Sequence, residues 1–159
     1  MSSSERGIRF WLSAWLPVLI GIAVICAEST AMFGADRTSG PLRRLWELLF
    51  GPVSEAYWHF QHMLIRKSGH FVGYGTLSLL WLRAWWKTRP RAPFLTNALL
   101  ALLGTALVAS GDEYHQTFLP NRTGSPHDVM LDCIGAIVLM SILYLFLRIR
   151  APWRLARAA

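Results

Sequence analysis

The chain has 159 residues, of which 53% are hydrophobic, and its mean hydropathy is positive at +0.35. A soluble domain of this length can bury a core without long apolar runs, so the composition argues against a soluble protein and favours a membrane protein. The net charge of +7 raises the question of nucleic-acid binding. However, the basic residues flank apolar runs at alternate crossings, as cytoplasmic segments of membrane proteins do, which argues against nucleic acid as a partner.

Apolar runs predict four transmembrane helices, at about residues 10–33, 69–86, 94–113 and 128–148. Two of the runs have the ~18 residues that a spanning helix needs, and the other two reach that length when polar residues at their ends are included. We expect the first run to be retained as a spanning helix, because it is longer than the apolar part of a cleaved leader. Four spans in a chain of this length predict a single membrane domain over residues 1–159.

Between the first two spans, the sequence predicts a loop followed by an amphipathic helix. Residues 34–41 are rich in turn-forming residues and are predicted to be a loop. Apolar residues then recur with helical spacing over residues 42–53, with charged residues on the opposite face. This stretch is too short and too charged to span, so we expect an outer interfacial helix, broken at Gly51 and Pro52. The predicted fold class is all-α: four transmembrane helices plus the interfacial helix.

Charge is divided unequally between the two sides of the predicted membrane. Ten Lys and Arg residues and a single acid, Glu5, fall on the side of the termini, whereas all five His and eight of the nine carboxylates fall on the other. Lys and Arg are enriched in cytoplasmic segments. We therefore predict a multi-pass protein of the cell membrane with both termini in the cytoplasm, and with residues 34–68 and 119–127 outside.

Polar side chains gather at the outer ends of all four predicted spans. An ionisable side chain costs about 2.5–3.5 kcal/mol near the centre of a spanning helix, so such residues are candidates for function. Because neighbouring helices alternate in direction, these ends are expected to converge on one outward pocket. The candidates are Glu28, Lys67, His70, Tyr74, Asp112, Glu113, His115, Gln116, Arg122, Ser125, Asp128 and Asp132.

Helical spacing suggests how the acids and imidazoles are arranged. Asp112, His115 and Gln116 are predicted to share one face of the third span, with Glu113 turned about a quarter circle away. An acid beside an imidazole resembles a general base and its orienting partner. The predicted catalytic residues are Asp112, Glu113, His115 and Asp128.

The remaining candidates are predicted to bind substrate. Lys67 and Arg122 suit a phosphate group, Arg in a bidentate mode. The other predicted substrate-binding residues are Glu28, His70, Tyr74, Gln116, Ser125 and Asp132. A divalent ion is the alternative, because imidazole and carboxylate ligands suit zinc or manganese, although no spacing is a specific metal signature. The candidate ligands are His70, His115, Asp128 and Asp132. The other histidines, His59, His62 and His127, are expected to be exposed and without a role.

Two stretches carry a family resemblance. Residues 67–74 (KSGHFVGY) resemble the K-x-x-H-F-x-x-Y motif of VanZ-like membrane proteins, and residues 112–128 (DEYHQTFLPNRTGSPHD) are similar to that family's D-E-x-x-Q-x-F-x-P-x-R-x-x-S-x-x-D. Gly135 follows as the small residue that the family has there, whereas Asp132 departs from the Asn usual in its pattern. The family takes its name from an accessory protein linked to teicoplanin resistance. The resemblance therefore implies a role in cell-envelope biology or glycopeptide susceptibility.

Three functions are compatible with these residues. The first is an enzyme that acts at the outer leaflet on a lipid-linked or cell-envelope substrate. The second is a non-catalytic protein that binds or shields an amphiphilic drug or a lipid precursor in the same pocket. The third, a proton or ion conductor, is disfavoured because the inner halves of the spans are nearly devoid of polar residues. The expected partners are the lipid bilayer and a lipid-linked or amphiphilic small molecule; the sequence identifies no cofactor.

Overall fold

The computed structural model describes residues 3–119, 122 and 124–156, and side chains over residues 7–119, 122 and 124–150. Pro120, Asn121 and Thr123 of the second motif, and the side chain of Glu5, lie outside this description. The elements are α1 (Ser3–Glu28), a 3₁₀ turn (Ala31–Phe33), α2 (Ala35–Phe50), α3 (Glu55–Thr88), α4 (Phe94–Gln116) and α5 (Pro126–Ala156). Within the described ranges every element is helical, which confirms the all-α class.

Three helices are long and apolar enough to cross a membrane, namely Gly7–Glu28, Phe94–Gln116 and Pro126–Arg150. The chain is therefore a multi-pass membrane protein. The first span was predicted to reach about residue 33; α1 ends at Glu28, and the 3₁₀ turn Ala31–Phe33 follows it. The second predicted span, residues 69–86, is part of α3, a 34-residue helix that is not among these three. Its apolar stretch is interrupted by His70, Arg83, three glycines and small polar residues.

The prediction of a loop over residues 34–41 was wrong, because α2 already begins at Ala35. Contacts with α3 hold this turn-rich stretch in a helix. The Thr38 hydroxyl lies 3.1 Å from Nε2 of His62, and Trp58 Nε1 donates to Ser39 Oγ at 2.8 Å. Tertiary packing thus overrides the local turn signals.

The predicted break after the amphipathic helix is confirmed. Gly51 has a positive φ of 87° and its N–H donates to Glu47 O, so a residue without Cβ closes the helix. Ser54 then caps α3 by accepting a hydrogen bond from the Tyr57 N–H at 3.3 Å. Large apolar side chains of α2 remain exposed, namely Leu45, Leu48, Leu49 and Phe50.

Helix α3 packs against α1, α4 and α5. At one end of the bundle, Arg83 Nη1 donates to Ser13 O at 3.0 Å and Lys87 Nζ to Ser13 Oγ at 2.9 Å. The Trp15 ring meets that of Trp85 edge-on with centroids 4.8 Å apart. The start of α1 therefore lies beside the end of α3, so these two helices run in opposite directions.

The crossing of α3 and α5 depends on two glycines. A Cβ on Gly135 would lie 2.3 Å from the backbone oxygen of Phe71, and a Cβ on Gly75 would lie 3.0 Å from Gly135 O. Small residues at such positions let helix backbones approach closely, which is how membrane helices gain packing energy. The close approach of α3 and α5 thus explains why a small residue is expected at position 135.

Gly135→Ala is expected to destabilise the protein by about 1–3 kcal/mol, because the added methyl group forces two backbones apart. Thermal unfolding in detergent measures the effect. Gly111→Ala is the matched control, since a Cβ there meets nothing within 4 Å. Equal melting temperatures for the two variants would contradict the close-packing explanation.

Candidate functional site

The end of the bundle opposite to Ser13 carries most of the predicted polar residues. A buried hydrogen-bond network joins three helices there. Tyr74 Oη donates to Asp112 Oδ2 at 2.9 Å, and Gln116 Nε2 donates to the same oxygen at 3.1 Å. Gln116 Nε2 also lies 3.3 Å from Ser29 Oγ, just beyond the end of α1. Because Asp112 Oδ2 accepts from both donors, these hydrogen bonds provide partners for a buried carboxylate, a phenol and an amide.

Arg122 connects the loop between α4 and α5 to the end of α1. Its Nη2 donates to the backbone oxygens of Glu28 and Thr30, at 3.2 and 3.3 Å, and its Nη1 donates to Gln116 Oε1 at 3.3 Å. The carbonyls at a helix C-terminus lack intrahelical partners and carry partial negative charge, so a guanidinium suits this position.

Glu113 holds the other side of the same loop. Its Oε2 accepts a hydrogen bond from the backbone N–H of Ser125 at 2.8 Å. A Cβ on Gly124 would lie 2.1 Å from Glu113 O, so the loop presses against the end of α4 where only glycine fits. The acid and the glycine together position the start of α5.

An ion pair and a second acid–base contact connect α3 with α5. Lys67 Nζ lies 2.6 Å from Asp128 Oδ1, and both side chains are partly exposed. One turn deeper, His70 Nδ1 lies 3.6 Å from Asp132 Oδ1. Asp132 is fully buried, and neither of its carboxylate oxygens has a hydrogen-bond partner among the described residues.

Two adjacent cavities, of about 160 and 280 Å³, open at this end of the bundle. Three side chains line both of them: Arg66, His70 and Arg122. Acids line each one, with Glu28 and Asp112 in the smaller cavity and Glu113 and Asp128 in the larger. Tyr74 lines the smaller cavity, whereas Lys67 and Gln116 line the larger. Nine of the twelve candidate residues therefore line the two cavities.

His115 does not join this cluster. Its side chain is exposed, whereas Asp112, Glu113 and Gln116 are buried. At 100° per residue, Glu113 lies on the same side of Asp112 as Gln116 does, and His115 lies about 60° away on the other side. His115 was expected to share a face with Asp112 and Gln116, but its side chain lies away from the cavities that those two residues line, whereas Glu113 lines the larger one.

Two residues at the cavities were missed or misjudged from the sequence. Arg66 was not a candidate, although it lies one turn before His70 and so shares its face. His62, one turn earlier still, was expected to be exposed but is buried against α2 and lines the larger cavity. The spacing of residues 62, 66 and 70 places them on one face of α3, and this pattern could have identified both Arg66 and His62 as candidates.

Arg66 is partly buried, with the guanidinium of Arg122 and several acids near it. Burial lowers the pKa of its guanidinium, and the positive charge of Arg122 lowers it further, with a smaller opposing effect from Asp128. Arginine nevertheless stays protonated. Two guanidinium groups and four acids thus line the two cavities.

His62 is expected to make the docking of α2 sensitive to pH. Burial, then the charges of Arg66 and His59, lower the pKa of its imidazole below the ordinary 6.5. The unfolded chain therefore binds the proton more readily, so α2 docking is strongest above pH 6.5 and weakens as the pH falls below it toward the lowered pKa.

Amide hydrogen exchange of α2 in detergent checks this expectation. Protection of the α2 amides, expressed as the intrinsic exchange rate at each pH divided by the observed rate, should fall between neutral and mildly acidic pH in the wild type. His62→Gln should remove that fall. His127→Gln is the control, since His127 is exposed on α5. A pH response that persists in His62→Gln would contradict the assignment.

Comparison with known proteins confirms the family resemblance of the two motifs. The family model described as VanZ/LLP1 matches residues 13–148. The chain belongs to the VanZ/LLP1 family. The match includes both VanZ-like motifs and Gly135. Searches of curated proteins and of solved structures find no match.

Proposed function

We propose that residues 69–86 of α3 form a fourth span and that the polar cavities face outward, with both termini in the cytoplasm. Support comes from the packing of α3 against three apolar helices, and from the basic residues Arg83 and Lys87 at the end where α1 begins. The exposed apolar side chains of α2 suit the membrane surface on the opposite side. Residues 1–159 then act as one membrane domain.

Reporter fusions test this topology. Alkaline phosphatase fused at position 122 should be active, because that enzyme folds only outside the cytoplasm, and a fluorescent protein fused at the C-terminus should be bright. A bright fluorescent fusion at position 122 would reverse the proposed orientation.

We propose further that this VanZ/LLP1 protein binds the anionic head group of a lipid-linked cell-envelope substrate and thereby affects glycopeptide susceptibility. The observation that carries this proposal is the pair of guanidinium groups, Arg66 and Arg122, lining both cavities at the end of a membrane bundle. Lys67 contributes less than predicted, because its ammonium group is paired with Asp128. Guanidinium groups bind phosphate oxygens through paired, charge-assisted hydrogen bonds.

The acids and the imidazole have defined positions around such a head group. His70 lines both cavities with Asp132 behind it, which is the arrangement of a base and its orienting acid. Asp112 and Tyr74 border the smaller cavity, and Glu113 borders the larger one. The imidazole beside the head group is that of His70, because His115 is exposed on the other side of α4.

Binding of a polyprenyl phosphate to the protein in nanodiscs tests the proposal. Saturable binding is expected in the wild type and should weaken at least about tenfold in Arg66→Ala, since one charge-assisted contact is worth roughly 1.5–3 kcal/mol. Arg44→Ala is the matched control, because Arg44 is exposed on α2. Teicoplanin susceptibility of cells expressing the same variants should follow the binding order. Equal binding by both arginine variants would reject the site.

A non-catalytic binding protein is the second candidate, and the hydrogen bonds of the acids favour it. Asp112 is occupied by Tyr74 and Gln116, and Glu113 by the backbone of Ser125. Both acids thus already hold the structure together. His70→Ala separates the two candidates: an enzyme loses turnover of the lipid phosphate with binding preserved, whereas a binding protein shows no turnover in either form.

A further inference from the structure

Three potential metal-binding side chains from two helices meet at the cavities. One donor atom each from His70 on α3 and from Asp112 and Glu113 on α4 lie within 4.8 Å of one another. Around a zinc ion with ligands at about 2.0–2.2 Å, donor atoms lie roughly 3–3.5 Å apart, so small side-chain rotations would close the site. The combination of one nitrogen and two oxygen donors suits zinc or manganese.

Other groups already orient the two carboxylates. Asp112 Oδ2 accepts hydrogen bonds from Tyr74 and Gln116, and Glu113 Oε2 accepts one from the Ser125 N–H. In each acid these hydrogen bonds involve only one of the two carboxylate oxygens. Hydrogen bonds of this kind to the ligands are typical of metal sites in proteins.

Asp132 provides an independent observation. It is fully buried, and both of its carboxylate oxygens lack a hydrogen-bond partner among the described residues. Its Oδ1 lies 3.6 Å from Nδ1 of His70, and that nitrogen has no hydrogen-bond partner in the described structure either. A buried, unsatisfied carboxylate is costly unless a nearby positive charge compensates it. A small rotation of His70 would complete the carboxylate–histidine pair that orients an imidazole on a metal ion.

We propose that His70, Asp112 and Glu113 bind a divalent ion of the zinc or manganese type, with Asp132 orienting His70. The ion's charge would offset the three acids that crowd around one imidazole. This ligand set differs from the one expected from the sequence, because Asp128 is paired with Lys67 and His115 is exposed. The proposal stands independently of the lipid-linked substrate, since it rests on the protein's own side chains.

Metal titration of the full chain tests the proposal. The protein is purified in detergent with a tag that contains no histidine, stripped with a chelator, and titrated with Mn²⁺ by electron paramagnetic resonance and with Zn²⁺ by equilibrium dialysis. No lipid phosphate is added. One ion per chain is expected to bind, and His70→Ala should weaken that binding by on the order of 100-fold. Asp132→Asn should weaken it about 10- to 100-fold, as loss of an orienting carboxylate does in other metal sites.

His115→Ala is the matched control, because it removes an exposed imidazole beside the same acids and should leave the affinity unchanged. Glu113→Gln provides a second variant that keeps the shape of the side chain, and thermal unfolding verifies that each variant is folded. Equal losses in His115→Ala and His70→Ala would overturn the site. The same conclusion follows if the wild type binds no tighter than His70→Ala, or if Asp132→Asn binds like the wild type.

Discussion

Replacing Asp112 with alanine is expected to destabilise the protein by about 2–6 kcal/mol, because two donors lose their shared acceptor and each unsatisfied buried group costs roughly 1–3 kcal/mol. Those donors are Tyr74 Oη and Gln116 Nε2, and all three side chains are buried. Unfolding in detergent, followed by circular dichroism, measures the loss. Asp112→Asn should lose much less, since the amide oxygen can still accept both hydrogen bonds.

Asp128→Ala is the matched control for this prediction. The same side chain is removed at the same end of the bundle, but Asp128 pairs with Lys67 at a partly exposed position. Partly exposed ion pairs contribute only about 0–1 kcal/mol. If Asp128→Ala lowers the free energy of unfolding as much as Asp112→Ala does, burial of the Tyr74–Asp112–Gln116 network does not explain its contribution to stability.

Replacing Arg122 with alanine is expected to lower the free energy of unfolding by about 3 kcal/mol and to abolish binding of a polyprenyl phosphate. Its guanidinium donates to two backbone oxygens at the end of α1 and to Gln116. Hydrogen bonds to charged groups contribute roughly 1.5–3 kcal/mol each, and removing the group leaves several acceptors unsatisfied together. Arg122 also lines both cavities, so one substitution removes a structural connection and a binding contact.

Arg122→Lys tests the geometric part of this argument. An ammonium group keeps the charge but cannot form the planar, forked set of hydrogen bonds, so we expect partial binding and most of the stability loss. Thermal unfolding and nanodisc binding are measured on the same preparations, with Arg44→Ala as the reference. Full stability in Arg122→Lys would mean that charge alone holds the loop to α1.

The family and the polar end of the bundle could be predicted from the sequence because both depend on residues that are close together in the chain. Residues 67–74 and 112–128 carry their motifs in short contiguous stretches. Their position at the ends of apolar runs follows from the length that a membrane requires. Asp112, Gln116, His70 and Tyr74 were therefore assigned correctly to one end of the molecule.

The face of α4 that points inward was beyond sequence reasoning. Asp112 can share an inward-pointing face of α4 with Glu113 or with His115, and helical spacing permits both arrangements. Packing of α4 against α3 and α5 decides between them, and it buries Glu113 and leaves His115 exposed. For this reason the imidazole of His115, which was expected to act beside an acid of the same helix, does not lie at the cavities.

The sequence alone determined that this is an all-helical, multi-pass membrane protein of the VanZ/LLP1 family, because hydropathy, charge distribution and motif spacing are properties of consecutive residues. Only the tertiary structure decided that residues 35–41 are helical, that Arg66 joins Arg122 at the cavities, and that buried Asp132 lies behind His70. Those outcomes depend on contacts between residues far apart in the chain. Their energies come from burial and pairing, which no single segment specifies.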